Sequence, residues 1–177
     1  MKKTIFILIT IFLIYYIIGV ASEEVVKIPN EAIRFRVIAN SNSTEDQDVK
    51  YEVKDEVESY MSSILQNVDN IEESRVIIST NIDNINKKVS NVFNKNNYKL
   101  NYKVNFGLNY FPEKEFKGIT YDEGYYESLV ITIGEGKGDN WWCVLFPPLC
   151  MLEAEESTEV EYKSFVKEII ESKTLNH

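Results

Sequence analysis

The first clear element of the chain is marked by strict alternation of apolar and polar residues. The stretch "IRFRVIA" carries an apolar side chain at every second position from Ile33 to Ala39, with Arg34 and Arg36 between them. A period of two is typical of a β-strand with one buried face. The Asn and Ser residues at positions 40–43 are turn formers, and they end the predicted strand.

Helical spacing replaces this alternation after the turn. From Thr44 to about Val68 apolar residues recur every three or four positions, which predicts a long amphipathic helix. Ser43 and Asp46 stand at its start, where their oxygens can accept hydrogen bonds from free backbone N–H groups and complement the helix dipole. A second amphipathic helix is predicted for residues 81–93.

The remaining segments predict strands and one further helix. Residues 71–79 fit either a strand, because they are rich in β-branched side chains, or a short helix. Residues 98–108 alternate as a strand that ends before Pro112, and residues 128–134 predict a buried strand. A final amphipathic helix or a tail is predicted within residues 158–173. Strands mixed with consecutive helices favour an α+β fold, with a small mixed or antiparallel sheet packed against two to four helices.

Residues 1–22 have the layout of an export signal. Lys2 and Lys3 precede an apolar run from Ile5 to Val20, and small residues follow it. This layout is typical of a secretory signal peptide, but the run is also close to the length that spans a bilayer, so an uncleaved membrane anchor is the alternative. Residues 23–31 then form a short polar spacer. Both alternatives place the chain from residue 23 onward outside the cytoplasm, either secreted or anchored by its N-terminus.

The excess of acidic residues argues against nucleic acids and anionic membrane surfaces as partners. The chain has 28 acidic and 19 basic residues and a formal net charge of −9. Because such a surface is repelled by phosphate backbones and anionic lipid headgroups, we expect no nucleic-acid partner and membrane contact only through the N-terminal segment. Residues 153–177 continue this acidic character as a predicted C-terminal helix or tail.

The segment "GEGKGDNWWCVLFPPLC", residues 134–150, concentrates the residues with the strongest structural demands. It contains three of the seven glycines, both tryptophans and both cysteines. It is not a phosphate-binding P-loop, because Gly136 and Lys137 are followed by Gly138 rather than by Ser or Thr. It is also not a dinucleotide fingerprint, since the third glycine comes one position too early.

The usual catalytic and metal-binding sets are missing from the sequence. Cys143 would need a base to act as a nucleophile, and the single histidine, His177, is the last residue. Two cysteines and one terminal histidine do not make a zinc site. Glu135 and Asp139 beside Trp141 and Trp142 leave open a cell-wall hydrolase or a carbohydrate-binding module, in which acids cleave sugars held on aromatic rings. We otherwise expect no enzymatic activity, no cofactor and no metal.

The cysteines and tryptophans of this segment each allow two interpretations. An exported location permits a disulfide between Cys143 and Cys150 across the turn at the two prolines, whereas two buried free thiols are the alternative. Trp141 and Trp142 are neighbours, so in a strand they would point to opposite faces of the sheet. One could fill the core beneath the glycines. The other, on the surface beside the glycine-rich loop, would either form a partner-binding surface or cover the glycines as a structural aromatic, and the residues alone slightly favour the structural role.

The segment strongly resembles the hallmark segment of the stage II sporulation protein R family. The resemblance extends upstream to "AIRFRVIANSNSTEDQDVKYEVKDEV" and "YDEGYYESLVITIGEGKG", which resemble the first and central blocks of that family. Together these blocks cover about residues 31 to 152, so residues 32–152 are interpreted as the signalling domain.

The resemblance implies a signalling role rather than catalysis. Proteins of this family are made in the forespore, are exported into the space between forespore and mother cell, and activate a membrane-embedded aspartic peptidase, stage II sporulation protein GA. That peptidase then cuts the inactive precursor of sigma-E. We expect the partner-binding residues to be those of the glycine loop and the tryptophans that follow it: Gly134, Gly136, Gly138, Asp139, Asn140, Trp141 and Trp142.

Overall fold

The computed structural model describes residues 7, 9–14, 32–116, 119–151, 164 and 166–171. Most of the predicted signal or anchor segment, the spacer at residues 23–31 and most of the C-terminal tail therefore lie outside the described residues. Among the residues described, no helix is both long enough and apolar enough to cross a membrane.

The fold is α+β, as predicted, and its sheet is mixed. The strands are β1 (Ile33–Ile38), β2 (Tyr102–Phe111), β3 (Lys114–Phe116), β4 (Ile119–Tyr121), β5 (Gly124–Ile133) and β6 (Asn140–Phe146). The helices are α1 (Thr44–Leu65), α2 (Ile71–Thr80) and α3 (Ile82–Lys95), and a 3-10 turn follows β6 at Leu149–Met151. The four-stranded sheet has the order β2-β5-β1-β6, in which only the β1–β5 pair is parallel, and β3 with β4 forms a separate two-stranded sheet.

Local hydrogen bonds settle one ambiguous segment and correct one predicted strand boundary. The segment at 71–79 is helical, and its N-terminus is capped by Asn70, whose side chain accepts a hydrogen bond from the backbone N–H of Glu73 at 2.8 Å. Strand β2 begins at Tyr102 rather than at residue 98, because Tyr98 belongs to the turn after α3 and donates its backbone N–H to Phe93 at 2.9 Å.

The three helices cover one face of the four-stranded sheet, which we call the helical face. The inward side chains of β1 and β5 on this face, including Phe35, Leu129 and Ile131, are completely buried. They pack with the apolar stripes of α1 and α3, which include Val53, Met61 and Ile85. Each such side chain contributes about 1.5–3 kcal/mol by leaving water, so this layer holds the domain together.

The opposite side of the four-stranded sheet, which we call the second face, has a thinner cover. A small cluster packs there around Ile119, Val144 and Leu149, and it includes Val166 from the C-terminal part of the chain. The described residues within the predicted C-terminal helix, 164 and 166–171, are helical. The side chains Arg34, Arg36 and those in register with them belong to this face.

Candidate functional site

The glycine loop at residues 134–139 connects β5 to β6 across the end of the strand that lies between them. Because β1 separates β5 from β6 and runs parallel to β5, the loop has to pass over the C-terminal end of β1. It does so in direct contact with the turn at 39–42. The backbone N–H of Gly138 donates to Ala39 at 2.9 Å, and that of Lys137 donates to the carbonyl of Asn40 at 3.1 Å.

Two asparagine side chains of this turn extend the contact. The side-chain oxygen of Asn40 accepts a hydrogen bond from the backbone N–H of Glu135 at 3.0 Å. The side-chain oxygen of Asn42 accepts one from the backbone N–H of Asp139 at 2.7 Å. Side-chain oxygens of the first turn thus satisfy backbone donors of a loop more than 90 residues away, and they set the shape of that loop.

Close approach explains why glycine occupies two of these positions. A Cβ atom on Gly138 would lie 2.3 Å from the backbone oxygen of Ser41, and one on Gly134 would lie 2.3 Å from the side-chain oxygen of Asn40. Gly134 has a φ of +55° and Gly136 a φ of +62°. In this left-handed region of backbone conformation, a residue with a side chain is strained. These predicted site residues therefore have a structural role that is independent of any partner.

A buried carboxylate, Asp46, anchors the turn that holds the loop. It accepts hydrogen bonds from the amide of Asn40 at 2.8 Å, from the hydroxyl of Ser41 at 2.5 Å and from the hydroxyl of Tyr98. Burial alone would raise the pKa of Asp46, but these donors outweigh it and lower the pKa from 3.8 to about 2. The sequence indicated Asp46 only as a helix-start residue, and it gave no signal for Tyr98, which lies 52 positions away.

Lys50 lies beneath the loop, and no sequence pattern indicated it as a site residue. Its side chain is buried, and its ammonium group donates to the side-chain oxygen of Gln47 at 2.6 Å and to the backbone oxygen of Asp139 at 3.4 Å. Burial lowers the pKa of Lys50, while the charge of Asp139 opposes this effect. The lysine therefore links α1 to the end of the glycine loop.

The two tryptophans point to opposite faces of the sheet, as predicted for neighbours in a strand. Trp141 lies on the helical face, where its ring makes an edge contact with Phe35 at 5.5 Å and the ammonium of Lys54 lies 4.8 Å from its centroid. Trp142 lies on the second face against Phe111, with ring centroids 5.1 Å apart. Both rings are half-buried. Because they lie on opposite faces of the sheet, these two predicted site residues do not form one surface.

Asn140 stands at the start of β6, between the loop and the tryptophans. It is opposite Ile38 of β1, and its side-chain oxygen is buried without a hydrogen-bond partner. Such a group is uncommon in a folded protein, because an unsatisfied buried oxygen costs about 1–3 kcal/mol. Asn140 therefore brings an unused acceptor to the edge of the site.

The structure joins Cys143 and Cys150 in a disulfide, one of the two alternatives left open by the sequence. Their Cα atoms lie 5.4 Å apart, within the range that a disulfide requires. The bond connects the middle of β6 to the 3-10 turn that follows it. It fixes the strand that carries both tryptophans.

Glu135, one of the two loop carboxylates, is poorly suited to act as a general acid. Glu135 is exposed and forms an ion pair with Lys137 at 2.7 Å, and this partner lowers the pKa of Glu135. A general acid in a glycosidase needs the opposite shift, a raised pKa. Within the described part of the chain, no group of three or more His, Cys, Asp and Glu side chains could hold a metal ion.

Comparisons with known proteins agree on one family. The family model described as "Stage II sporulation protein R" matches residues 29–156. A curated relative with the same description, from Bacillus subtilis (strain 168), is 37% identical over 171 residues, and the alignment covers 91% of this chain and 76% of the relative. No solved structure matches this chain significantly.

Proposed function

Because this chain belongs to the stage II sporulation protein R family, we propose that it is an exported signalling protein of sporulation. It leaves the forespore through its N-terminal signal and acts in the space between the two membranes, either secreted or held by an uncleaved anchor. There it activates the membrane-embedded peptidase, stage II sporulation protein GA, which cuts the precursor of sigma-E.

The observation that carries this proposal is the loop at residues 134–139, held in one shape by the turn at 39–42. A ligand can shift a receptor toward its active state only if it binds that state more tightly than the inactive one. A loop already fixed by hydrogen bonds loses little conformational entropy on binding, so more of its interaction energy is available for this discrimination. Among the exposed side chains of the loop, Asp139 lies at its end, closest in sequence to the half-exposed ring of Trp142.

A reconstitution in a non-sporulating bacterium tests the proposal. The cells would express the peptidase and the sigma-E precursor, with or without this chain carrying its own signal, and precursor size would be followed by immunoblot. We expect the precursor to shorten only when this chain is present. An unshortened precursor, with the peptidase present and this chain exported, would contradict the proposal.

Paired variants then separate signalling from a cell-wall activity. Asp139→Ala removes an exposed side chain while leaving the backbone contacts of the loop in place. It should abolish shortening while the domain stays folded, with only a small loss of stability because the charge that faces the buried Lys50 is missing. Glu135→Gln in the same loop is the matched control and should signal normally. Binding to peptidoglycan that is lost in both variants would instead favour a wall hydrolase or a sugar-binding module.

A further inference from the structure

The second face of the sheet carries an unusual row of positive charge and aromatic rings. Strand pairing places Arg36 of β1 directly between Val130 of β5 and Trp142 of β6. The guanidinium carbon of Arg36 lies 5.0 Å from the centroid of the Trp142 ring, and the ammonium of Lys114 lies 5.4 Å from the same ring. Trp142 is therefore in contact with two cations.

A second arginine, Arg34, lies on the same face, two positions before Arg36 in β1. Arg34 is 3% exposed, and its guanidinium carbon is 3.3 Å from the centroid of the Tyr126 ring and 5.4 Å from that of Phe111. The Phe111 ring centroid also lies 5.6 Å from the guanidinium carbon of Arg36, so this ring is close to both guanidinium groups. Burial lowers the pKa of Arg34, and Tyr126, Tyr121 and, to a smaller extent, the charge of Asp122 oppose this effect.

The hydrogen-bonding capacity of these arginines is not fully used. The Nε and Nη1 atoms of Arg34 and the Nε atom of Arg36 are buried without a hydrogen-bond partner. Arg36 donates through Nη1 to the backbone oxygen of Tyr110, at the long distance of 3.4 Å. A guanidinium group has five N–H donors and binds carboxylates in a two-point geometry, so Arg36 retains the capacity for a strong acceptor.

Exposed and half-buried cations lie on this face, although the molecule as a whole is acidic. The chain carries a net charge of −9, yet the accessible cations on this face include Lys114 and Lys103, both exposed, and the half-buried Arg36. An acidic partner would be repelled by most of the surface and attracted here, which orients its approach. The rings already immobilise the guanidinium group, so binding costs little side-chain entropy.

We propose that Arg36, Lys114 and Trp142 form a docking site for an acidic segment of the partner protein, with Arg36 receiving a carboxylate. The inference rests on the proposed function, because the partner is the peptidase that this chain activates. It deepens that function by naming the chemistry that the partner brings to the second face. Trp142 links this site to the glycine loop, since it lies three residues after Asp139 in β6.

A charge series in the reconstituted system tests the site. Lys114→Glu reverses an exposed charge beside Trp142, and Arg36→Met keeps an apolar stem while it removes the guanidinium group. Each variant should raise the amount of exported chain needed for half-maximal precursor shortening by about tenfold, the value of one lost charged contact. Lys87→Glu, an exposed lysine on α3, is the matched control and should match the unmodified chain.

The outcomes of this series distinguish the inference from the function on which it rests. If the unmodified chain fails to promote shortening, both are wrong. If it succeeds and Lys114→Glu signals as well as Lys87→Glu, the docking site is wrong while the activator role stands. Should Arg36→Met unfold, as judged by urea denaturation, Lys114→Glu decides the result, because its side chain is exposed.

A binding measurement that does not involve the peptidase supplies a second test. The purified full chain would be titrated at low salt with a capped hexaglutamate peptide while tryptophan fluorescence is followed. We expect a saturable change that Lys114→Glu weakens by about tenfold, that added salt suppresses and that capped hexaglutamine does not produce. Equal responses to the two peptides, or no response to either, would overturn the acidic-segment proposal.

Discussion

Replacing Asp46 by Asn should destabilise the domain and release the turn that holds the glycine loop. The carboxylate accepts hydrogen bonds from Asn40, Ser41 and Tyr98, and an amide in its place loses the charge that strengthens them. Since Asn40 in turn accepts from Glu135, the change reaches the loop through a single intermediate residue.

The magnitude follows from the pKa of Asp46. A shift from 3.8 to about 2 corresponds to about 2 kcal/mol of folding free energy when the carboxylate is fully ionised. The pKa is lowered in the folded state, so the unfolded chain binds more protons between these values, and stability rises with pH there. The contribution is complete well above pH 4, is reduced by about 1 kcal/mol at pH 3, and disappears below pH 2.

Urea denaturation of the full chain at pH 7 and at pH 3 measures both effects. Asp46→Asn should lower the free energy of unfolding by about 2 kcal/mol at pH 7, and its loss between the two pH values should be smaller than that of the unmodified chain. Glu45→Gln, an exposed acid in the same helical turn, is the control and should cost at most about 0.5 kcal/mol. An Asp46→Asn variant as stable as this control, with unchanged pH dependence, would refute the reasoning.

Two further substitutions and one chemical treatment, each followed by thermal or urea unfolding, test the contacts of Asp46, the packing of the glycine loop and the disulfide. Tyr98→Phe removes one donor to Asp46 and should cost about 1.5–3 kcal/mol; a neutral result would show that the contact is dispensable. Gly138→Ala forces a Cβ atom to 2.3 Å from a facing carbonyl oxygen and should cost about 1–3 kcal/mol, whereas an unchanged midpoint would mean that the loop relaxes freely. Reducing the Cys143–Cys150 bond, with a sequence separation of 7, should cost about 2.5 kcal/mol by the loop-entropy relation, and a double Cys→Ser variant should then be insensitive to reductant.

The elements that the sequence predicted well are those with a single strong period. Strand β1 alternates because one face of the sheet is covered by helices, and α1 repeats every three to four residues because it packs on that face. The segment at 71–79 could not be assigned this way, since its β-branched residues suit both periods. Its helical state depends on the cap from Asn70 and on packing against the rest of the domain.

The candidate site was only partly predictable for a related reason. Glycines and tryptophans in the 134–150 segment indicated a loop of fixed shape, and the tryptophans were correctly placed on opposite faces. Glycine is required at positions 134 and 138 because a Cβ atom there would clash with Asn40 or Ser41. That close approach exists only because β1 lies between β5 and β6 in the sheet. The roles of Tyr98 and Lys50 likewise arise from contacts across 52 and 89 positions, which no local pattern records.

Direct binding to the peptidase tests the central claim, that the loop held by the 39–42 turn presents the signal. The exported chain, immobilised through a C-terminal tag, would be incubated with detergent-solubilised peptidase, and retention would be compared for the unmodified chain, Asp139→Ala and Glu135→Gln. We predict retention by the unmodified chain and by Glu135→Gln, and loss with Asp139→Ala although that variant remains folded. Equal retention by all three chains, or retention by none, would contradict the claim.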